Sequence, residues 1–390
     1  MPPVRHYHAW LMAAYYFFFY AAIGVLLPYL PLYYEHIGLR GEQIGLLLGL
    51  GPVVLLISGP LWGSLGDRFN LHRWLLPLAT TGALALIFFI PLTRDLTQLL
   101  SIVIVQAFFA TAIGPLMDSA AIEIAETSGT SFGQLRLGGT IGFMIFSVII
   151  GKLLTFISLA WIFYAYMFFM ALAALTALAL PGRRRHWNAP MSQGVRALLN
   201  QPALLVFLLA AFLIGIALTA AQYFFPLYVR RIGGDSNLLG IAGAIAALSE
   251  MPVFFNAKRL LKRINNLWLA VFIATAGYVV RWYALSLTVT PTGVLFVQLL
   301  HGVSFGLFII SGVAYVETQA PPGLSATAQA LFIAAMWGLG AFVGSLGGGI
   351  IFERFGPTAL FQSAGVVTLL ALALLGASRF FIGRAAQSTS

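Results

Sequence analysis

The chain of 390 residues contains no cysteine, which closes off both a disulfide framework and a thiolate metal site. Charge is scarce as well. Asp, Glu, Lys and Arg make up only 8% of the residues, against roughly 25% in soluble domains, whose surfaces must be hydrated. With 60% hydrophobic residues and a mean hydropathy of +0.94, so little charge cannot cover a water-soluble particle of this size. The uncovered surface must face lipid. Acids are scarcer than bases, 11 against 21. The resulting excess of +10 does not point to nucleic acid, because the bases sit in short clusters between apolar runs, as at Arg183–Arg185 and Lys258–Arg263. Clusters of that kind hold a loop on the cytoplasmic side of a membrane. Catalytic patterns are missing too. There is no H-E-x-x-H, and G-x-S-x-G, which occurs at Gly129–Gly133 and Gly302–Gly306, follows no strand in either place, so an enzyme is not expected.

What the chain does have is a succession of long apolar runs. Twelve read as membrane spans, near 9–33, 42–66, 73–92, 96–122, 132–155, 158–180, 203–229, 237–257, 267–288, 292–315, 327–352 and 357–378. The first, Trp10 to Leu32, is as long as a full span and has no small-residue cleavage site, so it is read as a span and not a leader. The longest polar stretch, Pro181 to Pro202, divides the set. The expected organisation is an N-terminal six-helix bundle over 1–180, a cytoplasmic linker over 181–202 and a C-terminal six-helix bundle over 203–390. Of the 21 Lys and Arg, thirteen fall on inner segments if the N-terminus is inside, six on outer ones, and Arg136 and Arg281 within spans. That bias places both termini in the cytoplasm, with a bacterial cytoplasmic (inner) membrane as the expected location.

The two halves resemble each other. P-L-Y-Y-E-H-I-G at Pro31–Gly38 recurs as P-L-Y-V-R-R-I-G at Pro226–Gly233, and Ile44-Gly45 recurs as Leu239-Gly240 at the same offset. Six spans repeated in one orientation imply two bundles related by an axis along the membrane normal, a layout found in transporters. Glycines spaced by four, at Gly340, Gly344 and Gly348, at Gly302 and Gly306, and at Gly138 and Gly142, make small faces on which helices approach closely.

Ionisable groups deep in spans are costly, so each suggests a site or a structural pair. Five stand out: Asp118, Arg136, Glu250, Arg281 and His301. Asp118–Arg136 and Glu250–Arg281 pairs that are purely structural are the bland alternative. At about 1.5 Å per residue, Glu250, Arg281 and His301 lie at depths that let them converge in the C-terminal half. Gln298, His301, Ser304, Ser311 and Tyr315 recur at helical spacing as a polar stripe. A lone histidine in a span is often a packing residue. In such a stripe, near acids, it suits proton handling, because its charge changes close to neutral pH. Tyr16 and Tyr20 share a face of the first span, as do Thr219 and Gln222 of the seventh. Lipid-facing aromatics are the default, but Tyr20 and Gln222 are candidates for lining a cavity.

G-S-L-G-D-R-F-N-L-H-R, from Gly63 to Arg73, resembles the loop motif between spans two and three of the major facilitator superfamily, with Asn70 where a glycine is expected. The resemblance implies that Gly63, Asp67 and Arg68 brace helix ends during conformational switching. F-G-Q-L-R-L-G-G-T-I-G-F at Phe132–Phe143, S-E-M-P-V-F-F with Glu250, V-V-R-W with Arg281 and Q-L-L-H-G-V-S-F-G with His301 resemble the branch of lactose permease, nucleoside–proton symporters and, especially, phenylpropionic acid transporters. By that resemblance Asp118 and Arg136 form a pair. Ser304 stands where lactose permease has a glutamate implicated in proton coupling, and Gln298 where it has a lysine, so a coupling proton must sit on Glu250, His301 or Asp118.

The expectation is therefore an all-α membrane protein of twelve helices in two pseudo-symmetric halves. It would be a monomeric secondary transporter importing an aromatic acid, nucleoside or oligosaccharide by alternating access. Asp118, Arg136, Tyr20, Gln222, Glu250 and Arg281 would bind the solute. Glu250, His301, Arg281 and Asp118 would couple it to protons. A proton is the only coupling ion expected, with no metal and no other cofactor, and the partners are the solute and membrane lipid. An uncoupled facilitator and a proton-driven exporter are the alternatives within the fold, and a non-transporting receptor is a further one.

Overall fold

The computed structural model describes residues 4–69, 72–181, 198 and 200–387, and every regular element among them is a helix. Eleven helical stretches are long and apolar enough to cross a membrane, and the last, Ser325–Arg379, is two helices meeting at Gly356 (φ 83°, ψ 177°). Counted at that junction, there are twelve spans. We label them α1 (Val4–Leu26), α2 (Gly41–Phe69), α3 (His72–Ile87), α4 (Leu96–Ser128), α5 (Phe132–Leu153), α6 (Trp161–Ala179), α7 (Pro202–Arg231), α8 (Ser236–Phe255), α9 (Leu267–Leu287), α10 (Pro291–Gln319), α11 (325–355) and α12 (357–387). A short helix, Leu30–His36, continues α1 past a break at Pro28, where the ring and the missing N–H interrupt the ladder.

Ends follow local chemistry. Asp95 caps α4 by accepting from the Gln98 N–H at 2.9 Å, and Gly129, at φ 77°, stops it. Ser131 and Gln134 form a reciprocal capping box at the start of α5. Two boundaries differ from the reading of the sequence. The helix α4 runs to Ser128 rather than ending near 122, because no breaker precedes Gly129. Asp67 and Arg68, expected in a loop beyond a span ending near 66, have helical backbone in α2 along with Gly63, and the helix continues to Phe69. Glycine in a helix costs only about 1 kcal/mol, and no proline stands between Leu61 and His72 to end it. The side chains of these three residues lie outside the described residues, as does most of the expected linker over 181–202.

The chain divides into two compact units. Unit one holds Met1–Leu39, Leu50–Asn188 and Gly234–Ala244. Its helices pack through small residues: a Cβ on Gly138 would meet the Ala13 carbonyl of α1 at 2.6 Å, and one on Gly142 would strike the Phe17 carbonyl. The first turns of α8 belong to this unit and lie on α5. Gly240 abuts the Ser147 carbonyl, and the Tyr29 hydroxyl donates to the carbonyls of Ser147 (2.7 Å) and Ser236 (3.3 Å).

Unit two holds Arg40–Gly49, Ala189–Gly233 and Ile245–Ser390. Here the Gly340, Gly344 and Gly348 face of α11 packs on α7, against Phe212, Ile216 and Ala220. Gly302 of α10 lies against the Ser249 carbonyl of α8. The first turns of α2 belong to this unit and lie on α11. Gly45 abuts the Ser345 carbonyl, and the Ser345 hydroxyl donates to the Gly45 carbonyl at 2.6 Å. Gly45 and Gly240, paired by the sequence repeat, thus meet equivalent surroundings in their own units. Two π-helical segments interrupt this unit, Gly302–Gly306 in α10 and Ala334–Gly340 in α11.

Candidate functional site

Each unit carries one polar cluster. In unit one the close approach of α1 and α5 brings Tyr16 and Tyr20 beside Arg136, and Gly139 leaves room for the Tyr20 ring, which a Cβ would meet at 2.6 Å. The Tyr16 hydroxyl donates to Asp118 Oδ1 of α4 at 2.6 Å, and Arg136 Nη1 stands 3.9 Å from Asp118 Oδ2. Tyr20 stacks on Tyr16 with centroids 6.3 Å apart. The ion pair is long and open, with the Arg136 and Asp118 side chains 51% and 39% exposed. Charges so exposed on span helices are tolerated facing water, not hydrocarbon. Unit one therefore presents a wet polar face holding an acceptor, a planar five-donor cation and two rings.

In unit two α8, α9 and α10 supply the second cluster. Glu250 Oε1 lies 2.7 Å from His301 Nε2, with the two side chains 21% and 10% exposed. Arg281 Nη2 donates to Gln298 Oε1 at 2.6 Å, and its guanidinium sits 5.0 Å from the Trp282 ring centre. The His301 ring stacks on Phe305 at 4.9 Å. Several buried polar atoms find no hydrogen-bond partner among the described residues: Arg281 Nε and Nη1, the Tyr278 hydroxyl, Trp282 Nε1 and His301 Nδ1. An unmet buried donor costs about 1–3 kcal/mol. So many in one place mark a group of side chains held for something other than packing.

The convergence of Glu250, Arg281 and His301 that depth counting suggested is present. Ser304 and Ser311 turn back on their own helix and donate to the Leu300 and Leu307 carbonyls at 2.8 and 2.6 Å. The π segment also shifts the register that a 3.6-residue count assumes. Gln222 is exposed on α7 and makes no hydrogen bond among the described residues. Tyr16, Tyr278, Trp282 and Gln298 belong to the clusters without having been singled out as site residues. Their spacing was a usable signal: Tyr16 lies four residues from Tyr20, and Tyr278 and Gln298 lie three residues from Arg281 and His301.

A model of the MFS_1 like family matches residues 9–363. Maltose permease of Geobacillus stearothermophilus is 33% identical over 374 residues, which cover 92% of this chain and 93% of that protein. A protein named "Probable 3-phenylpropionic acid transporter" from Escherichia coli (strain K12) is 26% identical over 316 residues, 80% of this chain and 82% of its own. Among solved structures, the crystal structure of the nucleoside transporter NupG superposes with a TM-score of 0.82 at 18% identity, covering 95% of this chain and 98% of that one. At that identity the likeness bears on fold alone. Twelve spans, a six-span repeat and a family match across nearly the whole length agree: the chain belongs to the MFS_1 like family and is an integral membrane transporter of the major facilitator superfamily, not an enzyme.

Proposed function

We propose that the chain is a proton-coupled symporter that imports a small organic solute by alternating access. The Glu250–His301 contact at 2.7 Å carries the reading. A carboxylate oxygen and an imidazole nitrogen at that distance hold a proton between them, since two bare lone pairs would repel. Both groups can gain or lose that proton, and a buried carboxyl that is neutralised lets its helix bundle reorient without dragging a bare charge through apolar surroundings. Arg281 stands in the same cluster with two guanidinium nitrogens unmet, ready to answer a change of charge at Glu250. No metal or organic cofactor has a part in this scheme. The chain acts as a monomer in the bacterial cytoplasmic membrane with both termini inside. Gly63, Asp67 and Arg68 steady the end of α2 as the transporter switches.

For the solute, the unit-one face favours a hydroxyl-rich molecule. Asp118 accepts, Arg136 donates bidentately, and the stacked Tyr16 and Tyr20 offer ring faces. The likeness to maltose permease leans the same way, toward a disaccharide. An aromatic acid is the second reading. It rests on the unmet donors of Arg281, which suit a carboxylate, and on the Escherichia coli relative.

The test is uptake into proteoliposomes under an imposed inward proton gradient, with maltose, a nucleoside and phenylpropionate as solutes. Wild type accumulates one of them above equilibrium and protonophore abolishes the excess. Glu250→Gln equilibrates the same solute without accumulating it. Equilibration by wild type, indifferent to protonophore, would make the chain an uncoupled facilitator and overturn the proposal, as would export under the inward gradient.

A further inference from the structure

Between α8 and α9, at the membrane face where those spans end, lies a separate eight-residue helix, Ala257–Ile264, with the sequence A-K-R-L-L-K-R-I. At 3.6 residues per turn its two halves divide cleanly. Lys258, Arg259, Lys262 and Arg263 occupy one side and all are exposed, while Leu260, Leu261 and Ile264 occupy the other and are half-buried. The cations form two i,i+4 pairs of like charge, an arrangement that works against the helix carrying it. Nothing acidic relieves them locally, since no Asp or Glu occurs between Glu250 and Glu317. None of the four has an ion-pair or hydrogen-bond partner among the described residues.

The helix is also poorly supported at its start. Asn256 makes no side-chain cap and instead donates to the Pro252 carbonyl at 2.9 Å. The uncapped N–H groups and the positive end of the helix dipole therefore stand beside Lys258 and Arg259. Eight residues are too few for a helix to persist on propensity alone. Apolar rings mark the level of the hydrocarbon boundary on both sides. Phe254 and Phe255 are 42% and 65% exposed just before the helix. Trp268, just after it, carries the exposed Arg379 over its ring at 4.7 Å. Arg379 adds a fifth cation to this end of unit two.

We infer that the helix Ala257–Ile264 is a docking surface for anionic phospholipid headgroups. Phosphodiesters of the surrounding leaflet would lie across Lys258, Arg259, Lys262 and Arg263 and relieve their mutual repulsion. Leu260, Leu261 and Ile264 would hold the helix against the bundle at headgroup depth. A lipid surface is favoured over a free anion because the cations are spread along a face flanked by exposed phenylalanines and are not gathered into a pocket.

The test measures the melting temperature of the full-length protein in detergent as phosphatidylglycerol, phosphatidylcholine or inorganic phosphate is added. Phosphatidylglycerol is expected to raise it more than phosphatidylcholine does, and the difference shrinks in high salt. Replacing all four cations (K258Q, R259Q, K262Q and R263Q together) is expected to leave the value in phosphatidylcholine unchanged and to weaken the preference for phosphatidylglycerol at least about tenfold. The charge-conserving set, K258R, R259K, K262R and R263K, retains it. Two double variants, K258Q with R259Q and K262Q with R263Q, each lose about half the response, which keeps the test readable if the quadruple variant does not fold. Full response in the neutralised variants overturns the inference. So does an equal response of wild type to phosphatidylcholine or to inorganic phosphate.

Discussion

Asp118 is held more closely by a tyrosine than by the arginine it was expected to pair with. The Tyr16 hydroxyl is 2.6 Å away and Arg136 is 3.9 Å away. Hydrogen bonds to a charged group contribute about 1.5–3 kcal/mol, so Tyr16→Phe should free Asp118 to swing and raise the KM for uptake about tenfold or more. Kinetics of the variant in proteoliposomes check this, and its pH dependence should match wild type. At the second cluster, His301→Gln keeps a donor toward Glu250 but removes the titratable nitrogen. Solute exchange across the membrane should survive in that variant while gradient-driven accumulation is lost, which paired exchange and uptake assays would show. The five ionisable residues within spans were legible in the sequence because a charge inside a long apolar run is conspicuous and costly. Tyr16, Tyr278 and Trp282 were less so, since an aromatic in a span faces lipid by default and only its spacing from a site residue points otherwise. Gln222, polar and well placed in the repeat, is exposed on α7 and makes no hydrogen bond among the described residues.

Helices meet in this protein where glycines remove the Cβ. Gly45 of α2, packed against α11, and Gly240 of α8, packed against α5, face backbone carbonyls that cannot move aside as a side-chain tip would. Gly45→Val and Gly240→Val should each therefore destabilise by about 1–3 kcal/mol, the usual cost of overpacking, and lower the melting temperature measurably in detergent. Arg354→Gln, in contrast, breaks an ion pair with Glu42 at 3.0 Å whose side chains are 63% and 44% exposed. Exposed pairs contribute about 0–1 kcal/mol, so this variant should melt close to wild type. The glycine spacing and the matched Ile44-Gly45 and Leu239-Gly240 pairs were visible in the chain, because small residues at four-residue intervals have one straightforward use in lipid. The π segments at Gly302–Gly306 and Ala334–Gly340 were not. A hydrogen bond five residues back leaves no compositional trace, yet it shifts the register that a regular count assumes after His301.

Twelve spans and a duplicated half were readable because hydrocarbon imposes one length and one composition on every helix that crosses it. Span ends were less so, as α2 and α4 show. Lipid does not dictate where a helix stops once it enters the headgroup region, and there a capping residue such as Gly129 decides. Coupling is a property of the entire cycle and is tested there. If protons move with the solute, lowering the pH outside proteoliposomes relative to inside should drive uptake, and reversing the gradient should drive the same solute out. Symmetric pH should support exchange only. Flux measured in the three conditions distinguishes this from a carrier indifferent to protons.

Gly356 joins α11 to α12 with a single residue at φ 83° and no intervening loop. Two membrane-crossing rods hinged on one residue have almost no slack between them. A reporter or an epitope spliced in at that corner would have to prise the rods apart, whereas a longer polar connection would absorb it. The same shortness makes α11 and α12 one mechanical hairpin: a tilt imposed on α11 by its glycine seam with α7 is delivered directly to α12.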